Sequence, residues 1–319
     1  MSGAVSRTLG STGLQVSRIG LGLAALGRPG YINLGHAADL AGHTDEVSME
    51  RAAHAVLDAA YAGGVRYFDA ARSYGKAEAF LASWLAQRGL GPNDLVVGSK
   101  WGYTYTANWR VDAPVHEVKD LSLDTLRRQV GESRELLGPS LRLYQIHSAT
   151  LDSGVLEDRA VLGELARLRD GGLRIGVSVT GPRQAETIER ALEVGGFDAV
   201  QATWNLLERS AGSALEAAHG AGLGVIVKEA LANGRLTERG GIDLLIEAAE
   251  RAGSTPDAVA LAAVLDQRWA DVVLSGAATV DELRSNLAAL ELDSIPDLLS
   301  SLTEDPATYW ETRAALPWN

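Results

Sequence analysis

Eight short β-favouring runs, each followed by a helical pattern, recur along the chain, and this alternation constrains the fold more than any other feature. The runs centre on Ile19, Tyr67, Val96, Leu143, Ile175, Val200, Val225 and Val273. Alternating strand and helix with right-handed crossovers builds either an open doubly wound sheet or a closed barrel. Eight such units over about 270 residues match an α/β fold of the (β/α)8 TIM-barrel type, typically ~250 residues long. Ahead of the first unit, RTLGSTGLQVSRIGLG (residues 7–22) reads as an N-terminal β-hairpin turning near Ser11-Thr12-Gly13. No linker or composition shift divides the 319 residues, so a single barrel domain over 1–319 is expected.

Local signals sharpen the outline. Ser48 is expected to cap a helix running through Arg51 to Ala62, which Gly63-Gly64 ends. Helical patterns span Ala77 to Arg88, Leu123 to Leu137 after a Ser122 cap, and Gln184 to Val194. Tyr31 to Val47 reads as a surface loop, Trp101 to Asp120 as a long polar and aromatic segment, and the tail as irregular, with Tyr309-Trp310 to Pro317-Trp318 able to fold back on the barrel mouth. Gly20, Gly22 and Ala25 fit a loose dinucleotide fingerprint, but Gly27-Arg28-Pro29-Gly30 breaks the chain where that fingerprint must open a helix.

Bulk properties narrow the partners. The chain has no cysteine, which excludes disulfides, thiolate metal sites and a thiol nucleophile; no metal is expected. A formal charge of −12 argues against a nucleic-acid partner, which normally needs a basic stripe. Apolar runs stop well short of the ~18 residues of a membrane span, and the N-terminus lacks a signal-peptide core. No membrane partner and a cytoplasmic location are therefore expected. Acidic, helix-surfaced barrels occur both as monomers and as homo-oligomers, so the state of assembly stays open.

Chemistry is expected where a barrel carries it, at the C-terminal strand ends. Those ends are unusually polar: Asp69 after the second strand, Lys100 after the third and His147 after the fourth, with Tyr74 in the second βα loop. Singly, each has an ordinary reading: a turn cap, a packed aromatic, a solvent lysine, a satisfied core histidine. Together they suit proton delivery to a carbonyl oxygen. A nearby ammonium favours phenolate, Asp69 would hold the lysine in place, and a histidine opposite can donate to the carbonyl as charge builds there. No side chain is a hydride source, so such a quartet implies a nicotinamide cofactor.

These segments together resemble the aldo-keto reductase family over nearly the whole chain. FDAARSYGKAE resembles its FDTA-x-x-YG-x-(S/A)-E signature, GSK and YQIHS its lysine and histidine segments, and LSGAATVDELRSN its C-terminal cofactor segment. The resemblance implies Tyr74 as general acid, Lys100 and Asp69 as its tuning pair, and His147 as the group orienting the carbonyl. It implies a cofactor site from Gly22 and Leu23, from Ser178 and Gln201 on the carboxamide, and from Lys228 and Leu231 after strand seven. Gly276, Ala277, Ala278, Thr279, Glu282, Ser285 and Asn286 would meet the adenosine end.

Two departures stand out. Val179 replaces the asparagine usual beside that serine, and Lys228 stands where an aromatic ring often stacks on the nicotinamide. Lys228 is expected either to reach a diphosphate or to point away, and Trp204 to offer the missing aromatic surface. NADP(H) is the family expectation; Glu282 pulls toward NAD(H), Arg284 against it, and the balance falls narrowly to NADP(H). Tyr31, Trp101 and Trp204, with Tyr103, Tyr105 and Trp109, are candidate walls for a small carbonyl or alcohol substrate, sugars included. Rival readings are a Schiff-base aldolase using Lys100 or Lys228, and a non-catalytic cofactor-binding subunit. A short-chain dehydrogenase is disfavoured: none of the eight tyrosines precedes a lysine by four residues.

Overall fold

The eight β-favouring runs close on one another. The computed structural model describes residues 6–292 and 297–319. Its barrel strands are β1 Ile19–Gly22, β2 Tyr67–Asp69, β3 Val96–Trp101, β4 Leu141–Ala149, β5 Arg174–Val179, β6 Ala199–Thr203, β7 Gly224–Lys228 and β8 Val272–Ser275. All neighbours pair in parallel, and β8 returns to β1 through Val273↔Ile19 and Ser275↔Leu21. This is the (β/α)8 barrel expected from the alternation. The main helices are α1 Glu46–Ala62, α2 Ala77–Arg88, α3 Leu123–Leu137, α4 Arg159–Asp170, α5 Gln184–Val194, α6 Gly212–Gly220, α7 Asp243–Arg251, α8 Pro256–Leu265, α9 Val280–Leu287 and α10 Pro306–Ala314. Among the described residues no helix is long and apolar enough to cross a membrane.

The strands read as near-continuous apolar runs because both faces are covered. Period two still divides each strand into an outward set packed on the helices and an inward set filling the barrel. Phe68, Val97, Tyr144, Ile146, Ile175 and Val177 belong to the large outer core. Tyr67, Val96, Leu143, Ala199, Ile226 and Val272 fill the interior, capped from below by Leu9, Leu14 and Val16 of the N-terminal hairpin. That hairpin pairs Ser6–Thr8 with Gln15–Ser17. Buried Asp271 fastens it, accepting from Gly10 N at 3.2 Å and Val225 N at 2.9 Å, with Arg7 3.4 Å away. Glycine is required at position 98, where a Cβ would lie 2.3 Å from the Tyr67 hydroxyl.

Several local expectations shift. Asp45, not Ser48, caps α1; its carboxylate accepts from Ser48 N, and a carboxylate also suits the helix dipole better. The segment Trp101 to Asp120 contains a β-hairpin, Tyr103–Tyr105 paired with Glu117–Lys119. The loop Tyr31 to Val47 includes fully buried His36 and a one-turn helix, His36–Leu40. The tail is not irregular throughout: Asp305 caps α10, whose Tyr309 and Trp310 are buried.

Candidate active site

The inward sets of the strands turn polar at their C-terminal ends: Asp69, Lys100, His147, Ser178, Gln201 with Thr203, and Lys228. Apolar packing below and polar groups above follow from the same two-residue period. Asp69 is the hub. Its carboxylate takes the Lys100 ammonium and accepts from Gln201 Nε2 at 2.9 Å, the Tyr67 hydroxyl at 3.1 Å and Gln145 Nε2 at 3.4 Å. Lys100, wholly buried, also donates to Ala70 O at 3.1 Å and approaches the Tyr74 hydroxyl at 3.4 Å. The His147 ring stands edge-on to Tyr74, with centroids 5.5 Å apart. The four candidate catalytic residues therefore meet at one point.

Electrostatics there favours neutral forms of two of them. Burial, then the Asp69 charge, pushes the Tyr74 phenol well above its ordinary pKa; Arg28 acts in the opposite sense. The net direction is thus up, where a lysine neighbour alone suggested down. Burial and the cations Lys100, Lys228 and Arg28 hold His147 well below the ordinary imidazole value, so it is neutral at pH 7.

A cavity of ≈ 360 Å³ opens from Tyr74 across the strand ends. Near Tyr74 it is walled by Gly22, Asp69, Gln201 and Lys228, with Tyr31 at the rim. Its far end reaches Leu231, Gly276, Ala277, Glu282, Ser285 and Asn286. A cavity lined by a proton donor and by residues of the first turn of α9 fits a dinucleotide. The Ser178 hydroxyl, at the end of β5, is buried without a partner, although Ser178 is not itself among the residues lining the cavity.

Some expected residues are placed elsewhere. Leu23, Trp101 and Trp204 do not line the cavity. Each follows an inward residue, so period two turns it outward, where Leu23 and Trp101 pack wholly buried and Trp204 meets Trp269 edge-on at 5.6 Å. Trp204 therefore offers no surface to a nicotinamide. Tyr105 is half-buried, and Trp109 packs on Phe80 while donating to Thr44 O. Lys228 is no solvent lysine: Nζ donates to Thr203 Oγ1 at 2.9 Å and sits 3.8 Å from Glu229. Thr279 caps α9 by accepting from Glu282 N at 3.1 Å, and Ala278 N donates to the Glu282 carboxylate at 2.8 Å, so neither faces the cavity. Asn286 bridges Ser275 and Asp257 at 2.7 Å each, and Ser285 meets Thr255 at 2.8 Å.

Arg28 and Arg239 at the site were not foreseen, whereas Tyr103 and a tail folding back on the mouth were among the expectations. Buried Arg28 lies over the Tyr74 ring at 5.3 Å and the Trp318 ring at 4.8 Å, while pairing with Glu117 at 3.0 Å. Trp318 stacks on His116 with centroids 3.9 Å apart, and Asn319 pairs with the backbone of Tyr31, so the tail closes over the mouth. Tyr103 reaches His147 at 4.9 Å. At the far end Arg239 binds Asp39 and approaches Glu282 at 3.5 Å. The signal for Gln145 was present, two residues before His147 and hence on the same face; Arg28 and Arg239 carried none.

Known proteins share the sequence pattern and the fold. The aldo/keto reductase family model matches residues 18–298. An uncharacterized oxidoreductase, YrpG, of Bacillus subtilis (strain 168) is 28% identical over 97% of this chain and 98% of its own length. Pyridoxal 4-dehydrogenase of Microbacterium luteolum is 30% identical, over 53% of this chain and 49% of its own. Among solved structures, the aldo-keto reductase PA4992 of Pseudomonas aeruginosa has a TM-score of 0.66 at 26% identity, covering 90% of this chain and 94% of its own. AKR11C1 of Bacillus halodurans has a TM-score of 0.71 at 20% identity, covering 97% and 95%, a likeness of fold. With a barrel closed by eight parallel strands and a family match over most of its length, the chain belongs to the aldo/keto reductase family, enzymes that use NAD(P)H to interconvert small carbonyl compounds and alcohols.

Proposed function

We propose that the chain reduces an aldehyde or ketone, a sugar carbonyl included, and runs the reverse oxidation, with Tyr74 passing the proton. The observation that carries this reading is the buried Lys100 ammonium between the Asp69 carboxylate and the Tyr74 hydroxyl. A carbonyl oxygen placed at Tyr74 receives the phenolic proton; because the resting phenol is protonated at every working pH, it serves as the acid. As the proton leaves, the Lys100 ammonium stabilises the phenolate, and Asp69, fixed by four donors, keeps Lys100 from swinging away. Neutral His147 carries one N–H to orient the carbonyl.

A bound nicotinamide supplies the hydride. Gly22 and Lys228 would wall its ring, Ser178 would meet its carboxamide, and Leu231, Gly276 and Ala277 would line the path of its diphosphate. Gln201 is engaged with Asp69 and would help only by sharing its amide. At the adenosine end Glu282, Ser285 and Asn286 meet Asp257 and Asp281, with Arg239 as the cavity's cation there. The Glu282 carboxylate already occupies the Ala278 N–H that an anion would seek. A ribose diol suits this acidic end better than a 2′-phosphate. We therefore favour NAD(H), whereas the sequence leaned narrowly to NADP(H).

The rings of Tyr31, Tyr103 and Trp318 around the mouth, and a relative named for pyridoxal, make aromatic aldehydes the first substrates to assay. Fluorescence titration with NADH and NADPH tests the cofactor site directly. Tyr74→Phe should keep cofactor affinity within twofold and lower carbonyl reduction by about 10²–10⁴-fold. Reduction at the wild-type rate would sink the assignment.

A further inference from the structure

The end of β7 holds a largely buried lysine, its side chain 15% exposed, that proton transfer does not use. We propose that Lys228 makes the site discriminate the redox state of its cofactor, favouring the neutral reduced nicotinamide over the cationic oxidised ring and so biasing the enzyme toward carbonyl reduction. The inference rests on the reading that hydride transfer occurs beside Tyr74. A carbonyl hydrogen-bonded to Tyr74 confines the ring that exchanges hydride with it to the adjoining part of the cavity, the part walled by Gly22, Gln201 and Lys228.

The charges facing this space do not cancel. Lys100 is paired with Asp69, and Arg28 with Glu117. His147 and Tyr74 are neutral. Glu229, the carboxylate nearest Lys228, is taken by Arg313 of α10 through two hydrogen bonds of 2.8 and 2.5 Å, and stands 3.8 Å from Nζ. Lys228, Glu229 and Arg313 therefore carry one net positive charge. Lys228 and Glu229 both line the cavity, but the Glu229 carboxylate is engaged by Arg313, whereas Lys228 Nζ is held by the neutral Thr203 Oγ1 at 2.9 Å. Glu229 adopts a φ of 54°, rare for a residue with a side chain, a conformation that the surrounding contacts, the Arg313 pair among them, must hold in place. Burial first, with Arg313 and Lys100, lowers the Lys228 pKa to about 8; Glu229 and Asp69 oppose this. A second cation at the same place would meet the same penalty.

Dissociation constants for NADH and NAD⁺ are measured on the full chain, by fluorescence titration and competition, for wild type, Lys228→Met and Lys228→Arg. The Met variant should bind NAD⁺ on the order of tenfold tighter, with NADH within twofold. The Arg variant should keep the wild-type ratio. In wild type the NAD⁺ affinity should rise between pH 7 and 9 as Lys228 loses its proton, and this needs no variant. A Met variant that weakens both forms equally would make Lys228 a diphosphate contact and overturn the proposal. So would an unchanged ratio with no pH dependence. If wild type binds neither NAD(H) nor NADP(H), the hydride reading itself fails, a result distinct from either.

Discussion

The two halves of the barrel mouth treat buried polar groups in opposite ways. At the ends of β2 and β3, Asp69, Lys100 and the tyrosines satisfy one another: every donor near the carboxylate points at it. At the ends of β4 and β5, His147 Nδ1, Ser178 Oγ and Gln145 Oε1 are buried with no partner. An unmade hydrogen bond in a buried site costs roughly 1–3 kcal/mol. The first half is a finished device that holds one proton donor in place. The second carries a deficit that a ligand can relieve. A site built this way is preorganised for chemistry on one side and receptive on the other.

Breaking the finished half should have the largest effect. Lys100→Met leaves the Asp69 carboxylate buried without its cation, and should cost about 3–5 kcal/mol of stability as well as activity. Adding Asp69→Asn should recover most of the stability and none of the activity, which denaturant unfolding and turnover assays together would show.

His147 sharpens the contrast through pH. Its folded pKa lies well below the ordinary 6.5, so the unfolded chain binds a proton in the interval where the folded chain does not. Stability is complete above pH ~6.5 and falls as pH drops, by at most about 1.4 kcal/mol per pH unit from this group. His147→Gln, which does not titrate, should flatten that part of the melting-temperature profile between pH 6.5 and 5. An unchanged slope would assign it to other groups.

Ser178→Ala probes the receptive half. Removing an unpartnered hydroxyl should leave unfolding stability unchanged or slightly higher, yet weaken cofactor binding about tenfold, the worth of one hydrogen bond of ~1–1.5 kcal/mol. Lower stability with unchanged affinity would mark it as structural. The smallest effect is expected at the far end, where Glu282→Gln should raise affinity for NADPH relative to NADH several-fold, in titrations at fixed ionic strength.

Much of this was legible beforehand. The strand count, the hairpin and the convergence of Asp69, Tyr74, Lys100 and His147 follow from period and spacing. The same parity argument, applied one residue further, excludes Leu23, Trp101 and Trp204 from the cavity, since each stands next to an inward position. Other features had no local signature. Arg28 looks like a loop residue until the tail brings Trp318 over it, and Lys228 looks solvated until Arg313 arrives from α10 to claim Glu229.

The sequence by itself determined what short-range rules encode: alternating elements, the inward and outward faces of each strand, and which strand ends are polar. Tertiary structure alone decided which charges pair, which polar atoms lack partners and what closes the mouth. Those outcomes depend on groups up to hundreds of residues apart, such as Tyr31 and Asn319. Their energies are set by burial and distance, and neither quantity exists until the barrel has closed.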